Sequence, residues 1–74
     1  MKEGVWTLKR FEMYATLIDT CIYQGKKYLL FLDYHDCLIL LNITDGWYVY
    51  IHKFMIKHNY YDIDDISFYK LGDD

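Results

Sequence analysis

Apolar runs separated by turn signals organise this chain, and they are short enough for strands. Thr20-Cys21-Ile22-Tyr23 and Tyr28-Leu29-Leu30-Phe31-Leu32 flank Gln24-Gly25-Lys26-Lys27, a glycine-containing break between β-favouring runs that predicts a hairpin. His35-Asp36 separates the second run from Cys37-Leu38-Ile39-Leu40-Leu41, and Thr44-Asp45-Gly46 makes a third break. Strands near 13–23, 27–34 and 37–43 follow, forming an antiparallel meander.

The second and third strands are apolar on both faces. Tyr28, Leu30, Leu32 and Tyr34 point one way and Leu29 and Phe31 the other, while Cys37, Ile39, Leu41 and Ile43 oppose Leu38 and Leu40. A sheet with one face in water alternates apolar and polar residues, so these strands call for cover on both sides. A helix over 46–58 is the expected cover, because Trp47, Tyr50, Ile51, Phe54 and His58 gather on one helical face. Asp45 would cap its first turn, Lys57 suits its C-terminal end, and Asn59 would stop it. Against this, Trp47, Val49 and Ile51 alternate with Tyr48, Tyr50 and His52, a strand pattern rich in β-formers.

Residues 5–12 read either way. Leu8, Phe11, Ala15, Ile18 and Ile22 keep helical spacing, but the segment runs into threonine- and isoleucine-rich sequence, and a first strand is preferred. Ile66-Ser67-Phe68-Tyr69-Lys70-Leu71 reads as a final strand. The expected fold is one α+β domain over 1–74: a small antiparallel sheet of about four strands with one helix packed on it. The alternative is an all-β, barrel-like sheet, if 47–53 is a strand.

Composition narrows the class. The chain has 74 residues, no proline, two cysteines and 15 aromatics, nine of them tyrosine. A chain this short buries only about 60% of the surface its unfolded form exposes, so some of those rings lie at the surface as potential binding anchors. Phe, Tyr, Met, Ile, Asn and Lys make up 33 positions and Gly, Ala, Arg and Pro only 6, the skew that AT-rich codons produce. A low-GC bacterium, its phages or another AT-rich genome is the expected source, and a phage or mobile element of such a host is the expected carrier. No run has the length of a membrane span or a signal peptide, so a cytoplasmic protein is expected. Cys21 and Cys37 are expected to be reduced and buried.

Candidate chemistry is thin. Asp33-Tyr34-His35-Asp36-Cys37 brings together carboxylate, imidazole and thiol, but on a strand His35 and Cys37 do not meet within hydrogen-bond reach. A polar turn with Asp36 bonding the backbone is the plainer reading. His52 and His58 stand six apart, which matches no helical ligand pair, and Gly4, Gly25, Gly46 and Gly72 are too scattered for a phosphate loop. The expectation is therefore no enzyme, no metal and no cofactor.

The stretch from Phe31 to Leu40, with an aspartate before a turn and then an apolar strand, resembles a segment of Sm-like RNA-binding barrels. It lacks the asparagine and the later arginine-glycine element of that family, and no family is assigned on it. Lys26, Lys27, Lys53 and exposed tyrosines would serve an alternative reading as a single-strand RNA binder. Nucleic acid is disfavoured by the charge, with 8 basic against 11 acidic residues and a net −3. Most of that charge sits at one end: residues 60–74 carry −4 and the remainder +1.

Tyr60, Tyr61, Asp62, Asp64 and Asp65 thus form an acidic, tyrosine-rich tip suited to a partner protein's basic surface. The function expected from the sequence is a non-enzymatic protein-binding module, an inhibitor or regulator of a host protein. A structural homo-oligomer, in the simplest case a homodimer whose second copy covers the two-sided sheet, is a further alternative.

Overall fold

A computed structural model describes residues 5–51 and 68–73. It shows one short helix packed on a five-stranded antiparallel sheet, in the order α1 (Leu8–Tyr14), β1 (Thr16–Tyr23), β2 (Lys26–Leu32), β3 (Leu38–Asn42), β4 (Trp47–Ile51) and β5 (Phe68–Lys70). Neighbours in sequence are neighbours in the sheet, so β1 and β5 are its edges. The α+β expectation stands in outline, with five strands in place of four and the helix at the other end of the meander.

Two expected elements are corrected. Residues 5–12 do not form a first strand; Thr7 caps a helix, its Oγ1 accepting the Arg10 N–H at 3.2 Å. From Leu8 to Tyr14 no residue is β-branched, and Leu, Lys, Arg, Glu and Met are good helix formers. The helix ends where Thr16, Leu17 and Ile18 begin β1.

Nor does the predicted helix over 46–58 form in its described part, because Trp47–Ile51 is β4. Gly46 takes φ +82°, which turns the chain back, and Trp47 to Ile51 then pair residue by residue with Asn42 to Leu38. Helical spacing and strand alternation coexist in this stretch, and pairing on β3 decides between them. Residues 52–58 lie outside the described region.

Register sorts the side chains onto two faces. Leu29 pairs with Leu41, Phe31 with Ile39, Ile39 with Tyr50 and Leu41 with Tyr48, so these residues share the inner face. Phe11 of α1 packs into that face, its ring centroid 4.9 Å from Tyr48 and 6.0 Å from Phe31. The other face carries Leu30, Leu32, Leu38 and Leu40 half-buried and Val49 buried. Trp47 stands there edge-on to Tyr28 and Phe68, with centroids 6.1 and 5.2 Å away.

Tight turns set this register. Gln24 (φ 51°) and Gly25 (φ 75°) form a two-residue hairpin turn with both residues left-handed, which matches the twist of β1 and β2. Between β3 and β4, Asn42 is fully buried and accepts the Thr44 and Asp45 N–H groups on its side-chain oxygen. Asp45 therefore belongs to a hairpin turn and not, as expected, to a helix cap.

β1 is the exception to the packing. All eight of its residues are exposed, Ile22 to 76%, and a bulge between Leu17 and Asp19 interrupts its pairing with β2. Cys21 is exposed and Cys37 only partly buried, which corrects the expectation of two buried thiols; neither forms a disulfide. A clasp joins the two sides of the molecule: Gly72 donates its N–H to the Trp6 carbonyl at 2.8 Å, and Thr7 bridges Gly72 in parallel. Among the described residues no helix is long and apolar enough to cross a membrane.

Candidate binding cleft

Where α1 crosses the sheet it leaves a cleft of about 230 Å³ beside the β2–β3 turn. Trp6, Phe11, Tyr14 and Ala15 come from the helical side, Asp33, Tyr34 and His35 from the turn, and Ile39 and Tyr50 from the sheet. Helical geometry explains the first group, since Phe11 and Tyr14 are three apart and share a face with Trp6 just ahead of the cap. Trp6 lies 5.0 Å from Phe11 and stands at 79° to Tyr14 across 5.9 Å.

Asp33 shapes the opposite wall. Its Oδ1 accepts the backbone N–H groups of both His35 and Cys37 at 2.9 Å, which folds the chain so that Tyr34 and His35 project from the turn. The polar turn expected from the sequence is thus held by Asp33, and Asp36 supplies its left-handed residue, at φ 61°. Neither turn bond uses the second oxygen of Asp33. Tyr34 is 85% exposed at the lip of the cleft.

Burial and the Asp33 carboxylate disfavour a further negative charge around the cleft. Burial pushes the Tyr50 hydroxyl above its ordinary pKa, and the Asp33 carboxylate pushes it further. Cys37 is likewise raised, by burial first and then by Asp33 and Asp36, so its thiol stays protonated at neutral pH. Its sulfur contacts the His35 carbonyl oxygen at 3.9 Å, not the imidazole. Arg10 already places its guanidinium 4.7 Å from the Trp6 ring centroid, while lying outside the cleft lining.

The sequence-predicted site lies elsewhere. Tyr60, Tyr61, Asp62, Asp64 and Asp65 fall outside the described residues, as do Lys53, Lys57, His52 and His58. Of the lysines considered for RNA, Lys26 is ion-paired with Asp45 and Lys27 is exposed. Among the described residues, no three His, Cys, Asp or Glu side chains gather as a metal set. The cleft is not legible in the sequence because its helical wall is separated from the turn and sheet walls by roughly twenty residues or more in the chain. A tyrosine at a turn tip and a tryptophan just before a helix cap were its signals. Compared with protein-family models, curated proteins and solved structures, the chain matches none.

Proposed function

We propose that this protein is a non-enzymatic binding module that inhibits or regulates a host protein by docking on it. One observation carries the reading: Tyr34 is held almost bare beside a cleft walled by Trp6, Tyr14 and Tyr50. Folding ordinarily shelters a ring of this size, and a rigid exposed one offers large contact area at small entropic cost. The acidic segment with Tyr60, Tyr61, Asp62, Asp64 and Asp65 supplies orientation and speed of encounter toward a basic partner surface. The composition, skewed toward residues of AT-rich codons, is in keeping with a gene carried by a phage or other mobile element of an AT-rich host.

Retention from a host extract on immobilised wild-type protein and on Tyr34→Ala tests the proposal. A protein held by the wild type and lost from the variant supports it, while identical retention by both overturns it. A homo-oligomer is the second reading, favoured by the exposure of all eight residues of β1 at a sheet edge. A monomer persisting in sedimentation at high concentration would remove it.

A further inference from the structure

We propose that the cleft between α1 and the β2–β3 turn receives an alkylammonium group, the lysine head of a partner protein, with Trp6, Tyr14, Tyr34 and Tyr50 around it and Asp33 as its counter-charge. The proposal rests on the binding-module reading and names the chemistry of the guest.

Size is the first argument. At about 230 Å³ the cleft is smaller than the roughly 300–1,000 Å³ that drug-sized ligands occupy, so its guest is one side chain. Shape is the second. Trp6 and Tyr14 meet edge to face at 79°, so together they form a corner that suits a rounded group, whereas a planar guanidinium stacks against a single face. The apolar floor of Phe11 and Ile39 suits the methylene stem of a lysine, which packs on apolar surface while its charged end seeks polar groups.

Charge is the third argument. Aromatic faces attract cations, as the Arg10 guanidinium over the Trp6 ring shows; with that face of Trp6 taken, the guest's charge falls to the tyrosines and Asp33. The Asp33 carboxylate is half-buried, fixed by two backbone bonds through Oδ1, and retains an oxygen that those bonds leave unused. A carboxylate fixed in this way in a lining shared with Tyr14, Tyr34 and Tyr50 is complementary to a cation and repels acidic guests. Partial desolvation strengthens both interactions relative to open water.

Nuclear magnetic resonance of the full chain tests this with Nα-acetyl-lysine methylamide, its ε-acetylated form and the norleucine analogue. The lysine compound is expected to shift the Trp6, Tyr14 and Tyr34 ring signals saturably, with both neutral compounds at least about tenfold weaker. Asp33→Asn retains the oxygen that the turn uses but loses the charge. It should weaken the lysine compound several-fold and leave the norleucine compound unchanged. Tyr34→Leu, an exposed position that folding does not need, should also weaken the lysine compound.

Equal binding of all three compounds overturns the lysine proposal while preserving an apolar docking cleft, and so leaves the binding-module reading standing. Absence of shifts with every compound also overturns it. A partner lost on Tyr34→Ala would then still support the module, which keeps the two failures distinguishable.

Discussion

Asn42 and Asp45 are bonded to each other in both directions: Asn42 Nδ2 donates to Asp45 Oδ2 at 3.0 Å while Asn42 Oδ1 accepts the Asp45 N–H at 2.9 Å. The same Asn42 oxygen takes the Thr44 N–H, and the Asn42 carbonyl takes that of Gly46, so one buried side chain and its backbone close the whole β3–β4 turn. Asn42→Ala strands two backbone donors and opens space in the interior. The expected loss is roughly 2–4 kcal/mol, measured by denaturant unfolding. A loss within about 0.5 kcal/mol would show that the turn holds itself without the side chain.

Lys26 extends that turn across to β2 by pairing with Asp45 at 2.6 Å. The hydrogen bond from Lys26 holds the Asp45 carboxyl below its ordinary pKa, and the same bond holds Lys26 above its own. A lowered carboxylate contributes stability that is present above its unfolded pKa of about 3.9 and lost as pH falls through the lower folded value. A raised lysine contributes stability that is present below about 10.4 and lost as pH climbs through the higher folded value. The difference in melting temperature between wild type and Lys26→Met should therefore be flat near neutrality and shrink toward both acid and strong base. A difference that persists unchanged in strong acid would contradict the pairing. Both side chains are well exposed, so the effect is modest and salt-sensitive.

Gly72 is where the clasp leaves no room. A Cβ there would run into Val5 Cγ1 and lie 3.2 Å from Thr7 Cγ2. Gly72→Ala should cost about 1–3 kcal/mol, and Val5→Ala in the same chain should return part of it. Thermal melts of the two single variants and the double variant give the coupling directly. Strict additivity would mean that the crowding is relieved elsewhere.

The turn between β1 and β2 offers a gain. Gln24 sits at φ 51°, a conformation that asparagine tolerates better, and Gly25 already follows it. Gln24→Asn should stabilise by a few tenths of a kcal/mol up to about 1 kcal/mol, read from the denaturation midpoint. A neutral or negative result would show that the glutamine side chain has a role at this turn.

Glycines and alternation made most of the sheet legible. Gly25 marked the first hairpin and Gly46 a break, though not the hairpin that forms there, and Leu29 to Leu32 with Leu38 to Leu41 marked the central strands. Trp47, Tyr50 and Ile51 misled because the same residues satisfy a helical face and a strand alternation. Only pairing with Leu38 to Asn42 settles the matter, and that information is not local. Leu8 to Tyr14 misled for a related reason, since the β-branched residues that suggested a strand begin at Thr16, beyond the helix end. Trp6 and Tyr34 belong to one cleft only because Phe11 anchors α1 against Phe31 and Tyr48. A linear reading assigned Asp33 to Cys37 to a turn and had no means to bring Trp6 to it.

The full exposure of β1 sets an order of release under native conditions. Local opening costs least where little apolar surface is buried, and β1 contributes no buried side chain while β2, β3 and β4 contribute most of the interior. Backbone amides of β1 should therefore trade deuterium well ahead of those in β3, with β2 between them, and amides of β3 should exchange only on global unfolding. The protein would then behave as an inner three-stranded kernel carrying a strand it can let go. The cleft, whose sheet residues Ile39 and Tyr50 belong to that kernel, would stay assembled while the strand is away.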